Sequence, residues 1–241
     1  MTTQAGDARG TDRRVGMTPE RVADAAMRLS HGTGLNSWTI RDLATELDVA
    51  PSVIYHHSGG REALLRGVVE RVIAEVTIPD TRLPWQDWFR SFLLGLRPLL
   101  KQYPGTARWL LMHGPSFPSI ATAFDFGISS LSAAGFTRPA IGYAMLVNTA
   151  MLTITMHDDR LETSDDGPRD HAAMRESFAT LGTDSPGVNR MLTELLDPLA
   201  SDPHEAGEAV NADYYALLID TLISGLEAQL HLRPRRRSLP Q

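Results

Sequence analysis

Side chains that can bind phosphate or base edges are concentrated between residues 39 and 61. Thr39 and Arg41 offer a hydroxyl and a guanidinium, and Tyr55, His56 and His57 follow as a phenol and two imidazoles. Groups of this kind form hydrogen bonds with phosphate oxygens and with base edges in a DNA groove. The same residues could instead serve as a helix cap and a solvated surface, so their chemistry depends on the elements that carry them.

Catalytic and metal chemistry have weaker support. The chain contains no Cys, which excludes a disulfide, a thiolate nucleophile and a Cys-ligated zinc. His157 and Asp158 are consecutive, so on a helix they point in different directions and form a poor ligand pair. His31 with the two imidazoles at 56 and 57 fits no familiar zinc spacing. We therefore predict no catalytic residue, no metal and no cofactor, with a metal-dependent helical enzyme as the remote alternative.

Helical signals begin at residue 18. Thr18 can cap a first helix, and Pro19 suits its first position. Thr39 followed by Asp42 has the spacing of a capping box for a second helix. The apolar residues of that helix share one face through their i, i+3, i+4, i+7 spacing: Ile40, Leu43, Ala44 and Leu47.

A tight turn leads from the second helix into a third. Pro51 offers a first helical position and Ile54 an inward anchor, before Ser58 and two glycines break the chain. A longer amphipathic helix follows from Arg61 to Val76. Helices joined in this way form a helix-turn-helix unit, which can place its third helix in a DNA major groove.

The run TIRDLATELDVAPSVIYHHSGGREALL resembles the DNA-binding region of the TetR family of bacterial transcriptional repressors. The resemblance covers Thr18 to Val72. It implies an all-α fold with an N-terminal helix-turn-helix DNA-binding domain, followed by a larger helical domain for ligand binding and dimerisation. It also implies a homodimer whose partners are operator DNA and a small-molecule effector. A ligand-insensitive regulator or an activator is the nearest alternative.

Two groups of DNA-binding residues follow from this arrangement. If Ile54 faces the core, Ser52, Val53 and His56 face outward, because a helix turns about 100° per residue, and they are expected at base edges. Thr39 and Arg41 open the second helix, where they suit a phosphate or a guanine edge.

The resemblance adds four further residues to the DNA-binding set. It gives Tyr55 a phosphate contact, whereas His57 either does the same or packs. Pro51 opens the third helix, and Arg61 stands where the family usually carries a Lys; its guanidinium fork suits phosphate.

Two features depart from the family pattern. Ser58 replaces a bulky apolar residue, and Gly59 with Gly60 replaces the usual cap, so we expect a looser junction after the third helix. Residues 1–78 contain nine Arg against five Asp and five Glu, a net charge of −1, which is unfavourable for a DNA-binding domain. Binding then requires the few Arg to cluster on one face.

The remainder of the chain carries helical patterns between Pro and Gly interruptions. The predicted helices are Trp85–Gln102, Thr106–His113, Ser119–Ala134, Pro139–His157, Arg169–Leu181, Gly187–Ala200 and Glu205–Leu232. Met and aromatic side chains in this region either line an effector pocket or pack as ordinary core. The candidate ligand residues are Trp109, Met112, His113, Phe117, Phe124, Tyr143 and Met151. A face of the last helix is expected to dimerise: Leu218, Leu222, Gly225, Leu226 and Gln229.

The predicted organisation is a disordered arm (1–17), a DNA-binding domain (18–78), a ligand-binding and dimerisation domain (79–232) and a basic tail (233–241). The start of the chain lacks the apolar core of a signal peptide. The uncharged stretch from Ala140 to Met156 is shorter than the roughly 20 residues that a membrane span needs, so it indicates a buried helix. We expect a cytoplasmic protein with no membrane partner.

Overall fold

The computed structural model describes residues 17–158, 170–182, 185–202 and 204–232. Within these ranges the regular elements are helices and no strand is present, which confirms the predicted all-α class. The basic tail (233–241) and residues 1–16 of the arm lie outside the described residues. Met17 was predicted to belong to the arm, but its side chain is 6% exposed and packs in the core.

The helices of the described residues lie close to the predicted ranges. In chain order they are α1 (Pro19–Ser30), α2 (Ile40–Glu46), α3 (Pro51–Ser58), α4 (Arg61–Ala74), α5 (Trp85–Lys101), α6 (Thr106–His113), α7 (Ala121–Ala133), α8 (Pro139–Asp158), α9 (His171–Ala179), α10 (Pro186–Met191), α11 (Asp197–Ser201) and α12 (Ala206–Leu232). A 3-10 turn at Pro118–Ile120 precedes α7, and a π-helical segment at Leu192–Leu196 joins α10 to α11. Pro198 follows this wider turn, which leaves room for a ring that has no N–H to donate.

The chain divides into two compact units. The first unit contains the described residues up to Thr77 together with Pro98–Thr122, and the second contains Ile78–Arg97 and the described residues from Ala123 onward. The boundary predicted after residue 78 lies next to the first of these divisions. The segment 98–122, predicted to belong to the larger domain, instead joins the first unit, because α6 and the 3-10 turn both pack against α4.

The first unit is built on apolar side chains from all four N-terminal helices. Val22, Leu43, Ile54 and Val68 are completely buried, and each belongs to a different helix. Gly34 has a φ of 102°, and a Cβ at this position would lie 3.1 Å from the carbonyl oxygen of Pro104. The glycine therefore allows the loop after α1 to approach the chain before α6.

The second unit has an aromatic core joined to α12. Trp88 and Phe89 of α5 are completely buried, with their ring centroids 5.0 Å apart in an edge-to-face arrangement. The hydroxyl of Tyr215 donates to the carbonyl oxygen of Leu93 at 2.8 Å, and burial raises the pKa of this phenol. At one end of the same helix pair, Arg97 of α5 lies 2.8 Å from the Glu208 carboxylate. These contacts fix α12 against α5.

Candidate functional site

The start of α2 is held by a reciprocal cap. The Thr39 hydroxyl donates to the Asp42 carboxylate at 2.7 Å and accepts from the Asp42 backbone N–H at 3.3 Å. The hydrogen bond from the Thr39 hydroxyl, together with one from the Thr39 backbone N–H to the same carboxylate, lowers the pKa of the exposed Asp42 carboxyl. The capping box predicted from the sequence is confirmed. Because the Thr39 hydroxyl is already committed to this cap, its contact with DNA stays a prediction.

Arg41 lies on the exposed side of α2, one residue into the helix. Among the described residues, none forms a hydrogen bond or ion pair with its guanidinium. Other guanidinium groups of the first unit are already engaged: Arg28 lies 3.3 Å from the Glu46 carboxylate, and Arg71 pairs with Asp24. The α2 guanidinium is therefore free to meet an anion.

The helix α3 presents the predicted face to solvent. Ile54 is completely buried, whereas Ser52 and His56 are exposed and Val53 is partly exposed, as expected from the inward anchor. Pro51 occupies the first turn and is also exposed. The exposed side of this short helix carries hydroxyl, imidazole and small apolar groups, so a partner surface could approach its backbone closely.

Tyr55 and the two imidazoles form the C-terminal part of this surface. The Tyr55 side chain is 56% exposed, so its phenol lies at the surface and not in the core. His56 and His57 lie edge to face with ring centroids 5.2 Å apart, and the second of them is partly buried. The structure thus brings the predicted α3 residues together on one helix, and their roles toward DNA stay predictions.

The junction after α3 is closed by hydrogen bonds, contrary to the loose junction expected from its sequence. Ser58 donates its hydroxyl to the Ile54 carbonyl at 2.7 Å and accepts from the Gly60 N–H at 3.3 Å. Gly59 and Gly60 have φ angles of 69° and 106°, which favour glycine. A serine hydroxyl here takes over part of the role of the missing cap.

Arg61 points inward at the first position of α4. Its guanidinium lies 5.4 Å from the centroid of the Trp38 ring and donates to the carbonyl oxygens of Leu35 at 3.2 Å and Trp38 at 3.3 Å. The sequence predicted a phosphate contact for this residue. In the structure the guanidinium fastens the loop that leads into α2, a contact for which sequence spacing gave no signal, and the phosphate contact stays a prediction.

The predicted ligand residues are divided between the two units. Four of them belong to the first unit: Trp109, Met112, His113 and Phe117. Three belong to the second: Phe124, Tyr143 and Met151. The sequence had no means of separating them, because they follow one another along the chain. Their role in ligand binding stays a prediction.

An aromatic cluster surrounds Tyr143 in the second unit. Its ring centroid lies 5.0 Å from that of Phe124 and 5.9 Å from that of Phe89. A Cβ at Gly127 would lie 2.6 Å from the same tyrosine ring, so the helix backbone of α7 packs directly on it. Burial raises the pKa of the Tyr143 phenol, and no described residue forms a hydrogen bond with its hydroxyl.

The exposed apolar side chains of α8 and α12 form two stripes, which we call the paired stripes. On α8 the stripe consists of Ile141, Met145, Leu152 and Met156, and on α12 it includes Tyr214 and Leu217. These two helices pack against each other within the second unit. The segment Pro139–Met156 is long and apolar enough to cross a membrane by length and composition, and only a third of it is buried. The described residues therefore leave most of this apolar segment uncovered.

The predicted dimer residues lie beside this surface. Leu218, Leu222 and Leu226 are partly buried, whereas Gly225 and Gln229 are exposed. The sequence prediction named dimer residues on the last helix only, did not include Tyr214 or Leu217, and expected the α8 segment to be buried. The spacing of the α8 residues along the helix could have shown that they share one face.

The helix-turn-helix region is similar to a known protein family and to characterised regulators. Residues 22–68 match the family described as bacterial regulatory proteins, tetR family. An HTH-type transcriptional regulator of Saccharopolyspora erythraea is 27% identical over 123 residues, which are 51% of this chain and 52% of that protein. The tetracycline repressor protein class G of Vibrio anguillarum is 30% identical over 118 residues, covering 48% and 56% of the two chains. The chain thus matches about half the length of these relatives.

Solved structures with a similar fold cover much more of the chain. A possible TetR family transcriptional regulator from Streptomyces coelicolor A3(2) has a TM-score of 0.68 at 21% identity, over 88% of this chain and 99% of that one. The Streptomyces coelicolor TetR family protein ActR, in complex with actinorhodin, has a TM-score of 0.64 at 21% identity, over 89% and 97%. At these identities the likeness establishes the fold of both units.

Proposed function

We propose that this chain, which belongs to the TetR family through its N-terminal helix-turn-helix region, is a homodimeric transcriptional repressor that a small apolar effector releases from a palindromic operator. The proposal places the protein in the cytoplasm, where DNA and effector are both accessible. The nearest alternative is a ligand-insensitive regulator or an activator with the same fold.

The surface of α3 carries this proposal. Ile54 anchors the helix inward, so Ser52 and His56 face a partner together with the exposed phenol of Tyr55. In a helix-turn-helix protein such side chains reach base edges and phosphates in the major groove. The free guanidinium of Arg41 adds a positive charge at the start of α2, where backbone N–H groups also favour an anion.

The paired stripes support a dimer. They leave large apolar side chains exposed on two helices that pack against each other, and exposed apolar side chains grouped in this way are typical of an interaction site. A second copy of the chain could cover the stripes through a two-fold axis, which would turn two neighbouring helices into a four-helix contact. The two-fold axis would match the symmetry of a palindromic operator.

The cluster around Tyr143 supports an apolar effector that carries one polar group able to hydrogen-bond with the Tyr143 hydroxyl. Aromatic side chains from α5, α7 and α8 meet there, and the Tyr143 hydroxyl has no hydrogen-bond partner among the described residues. Met151 is also buried on α8, and its flexible thioether suits an adaptable apolar pocket. A multiply charged anion would find no compensating cation among these side chains. Solved structures of similar fold hold actinorhodin and minocycline, which supports a small-molecule role.

Release of DNA would follow from linkage. If the effector and the operator stabilise different conformations of the dimer, each weakens the binding of the other by the same coupling free energy, typically about 1–3 kcal/mol. An effector that bound both conformations with equal affinity would not change the affinity of the dimer for the operator.

Sequencing the genomic DNA fragments that the purified protein retains tests the DNA-binding part of the proposal. We expect enrichment of one inverted repeat, with enrichment lost in a Ser52→Ala, His56→Ala double variant. Fragments without a shared sequence, retained equally by the variant, would contradict it.

A thermal-shift panel tests the effector part. Neutral aromatic compounds should raise the melting temperature and reduce affinity for the enriched repeat, whereas multiply phosphorylated metabolites should do neither. Tyr143→Phe, which keeps the ring, should reduce both effects for compounds that carry a polar group. Stabilisation by phosphorylated metabolites alone would exclude the apolar effector while leaving the DNA-binding proposal standing.

A further inference from the structure

The exposed face of α8 carries one polar side chain near its centre. The α8 stripe consists of Ile141, Met145, Leu152 and Met156, and Asn148 lies on the same face, because steps of three and four residues return to one side of a helix. Asn148 is exposed, and its carboxamide forms no hydrogen bond with a described residue. The stripe extends seven residues before Asn148 and eight residues after it. The amide thus interrupts an apolar surface close to its midpoint.

A carboxamide at this place favours a partner that can form hydrogen bonds with it. The side chain of Asn148 has two N–H donors and one carbonyl acceptor. Lipid or a purely apolar protein surface would leave these groups buried and unpaired, which costs free energy. A second carboxamide across a two-fold axis satisfies them, because each oxygen can accept from the N–H of the other. A residue on the two-fold axis of a dimer meets its own copy.

The face that contains Asn148 is positively charged at one end. The start of α8 and the end of α12 line one cleft of about 220 Å³, whose lining includes Ile141 and Met145 together with Leu226 and Leu230. The two helices therefore run in opposite directions. Arg138 lines the same cleft and is exposed, and no ion pair joins it to another side chain in the described ranges. Four Arg also occur among the five residues that follow α12 in the sequence.

A negative charge lies at the other end of the same face. Asp213 is exposed near the start of α12 and shares one side of that helix with Leu217, four residues later. Gly142 and Gln229 both line the cleft, so a count of 16 residues along each antiparallel helix brings Asp213 to the level of the end of α8. Arg138 precedes Asn148 by ten residues, and the level of Asp213 follows it by ten. At about 1.5 Å per residue, the two charges lie about 15 Å from Asn148 in opposite directions.

We propose that Asn148 lies on the two-fold axis of the dimer and pairs with the carboxamide of Asn148 in a second copy. The inference rests on the proposed dimer and adds its register and direction. With the axis at this residue, the α8 helices of the two copies run antiparallel, and Arg138 of each copy reaches the level of Asp213 of the other. A parallel alignment would instead bring the two positive ends together. A single Asn in an apolar interface fixes the register at some cost in stability.

Disulfide formation in the full-length protein tests the position of the axis. The chain contains no Cys, so Asn148→Cys introduces a single thiol. A disulfide requires Cα atoms within about 7 Å of each other, and we expect air oxidation with copper phenanthroline to convert most of this variant into a covalent dimer. Ile141→Cys is the matched control on the same face: its two copies would lie about 20 Å apart and should remain unlinked. Equal cross-linking of the two variants, or none in Asn148→Cys, would overturn the proposal.

Sedimentation of the unsubstituted protein separates this inference from the dimer on which it rests. A dimer that Asn148→Cys does not cross-link would overturn the register alone. A monomer would contradict the proposed dimer as well, and a monomer that sediments with phosphatidylcholine vesicles would identify lipid as the partner of this face.

Opposite charges placed at residue 148 give a second test. Asn148→Asp and Asn148→Lys should each weaken self-association by about tenfold or more, because two like charges would meet at the axis. An equimolar mixture of the two variants should associate again, since each charge then faces its opposite. Glu176→Lys, an exposed change on α9 outside the paired stripes, is the control and should leave self-association unchanged. A mixture that associates no better than either variant alone would show that Asn148 does not face its own copy.

Discussion

The guanidinium of Arg61 lies over the indole ring of Trp38, 5.4 Å from its centroid, although 22 residues separate them along the chain. The same guanidinium donates to the Trp38 carbonyl, and the Trp38 indole in turn donates to the hydroxyl of Ser30 at 2.8 Å. The start of α4 is thereby tied to the end of α1 and to the residue that precedes the α2 cap. Arg61 of α4 therefore holds the loop that leads into α2.

Arg61→Lys separates this structural role from a contact with phosphate. Lysine keeps the charge but cannot form the planar fork or stack in the same way. We expect a loss of about 1 kcal/mol of unfolding free energy, which lowers the melting temperature by about 2–4 °C for a chain of this size. Arg41→Lys, at an exposed residue, is the control and should leave the melting temperature unchanged. Weaker DNA binding by Arg61→Lys without any loss of stability would instead favour a direct phosphate contact.

Tyr55→Phe tests whether the Tyr55 phenol contacts phosphate or recognises the DNA sequence. A phosphate contact carries no sequence information, so the variant should weaken operator and random DNA alike, by about two- to tenfold. Changes at Ser52 or His56 should alter the preferred sequence. Fluorescence anisotropy with both DNAs measures the two effects. Altered sequence preference in Tyr55→Phe, with unchanged affinity for random DNA, would reassign this residue to base recognition.

Binding to DNA should depend only weakly on salt. Each neutralised phosphate contributes about −0.9 to the slope of log K against log salt concentration. Because Arg28 and Arg71 are held in ion pairs with Glu46 and Asp24, few cations of α1–α4 remain available. Titrations from low to physiological salt measure the slope. A steep slope would indicate that the N-terminal Arg9, Arg13 and Arg14 also bind phosphate, and removal of residues 1–16 should then flatten it.

Gly127→Ala should destabilise the second unit, because the added methyl would lie 2.6 Å from the ring of Tyr143. Overpacking of a buried site costs about 1–3 kcal/mol. Gly95→Ala is the matched control: apart from the neighbouring backbone of its own helix, no atom would lie within 4 Å of the added Cβ, and the alanine should raise stability by up to about 1 kcal/mol through its helix propensity. Urea unfolding monitored by circular dichroism compares the two. Equal stability of the two variants would show that the aromatic cluster adapts without cost.

Leu217→Glu tests the paired stripes as the dimer interface. Its side chain is 69% exposed, so the change has little effect on the monomer fold, but burial of the new charge against a second copy would be costly. We expect the dimer to dissociate in sedimentation experiments and DNA affinity to fall with it. Leu181→Glu, at a leucine that is 65% exposed outside the stripes, should leave the dimer intact. Dissociation by both variants, or by neither, would contradict the assignment.

Local features were predictable from the sequence because neighbouring residues determine them. The box of Thr39 with Asp42, the first turn at Pro51 and the inward anchor of Ile54 all depend on spacing within one or two helical turns, and each is present in the structure. Helix α6 also begins and ends where its sequence pattern indicated, between Gly105 and Gly114. Apolar periodicity and helix-ending residues act over a few residues, so a linear reading captures them.

Contacts between distant segments were decided only by the tertiary structure. Arg61 has the spacing and chemistry of a phosphate ligand, and only the packing of α4 beside Trp38 shows that its guanidinium also stacks on that indole ring. Trp109 was grouped with Tyr143 as one ligand cluster, yet α6 packs on α4 and brings Trp109 into the first unit. The apolar composition of α8 predicted burial, whereas its neighbours cover only one side. Composition and periodicity define which faces can be buried, but which surface meets each face depends on how helices far apart in the sequence pack together.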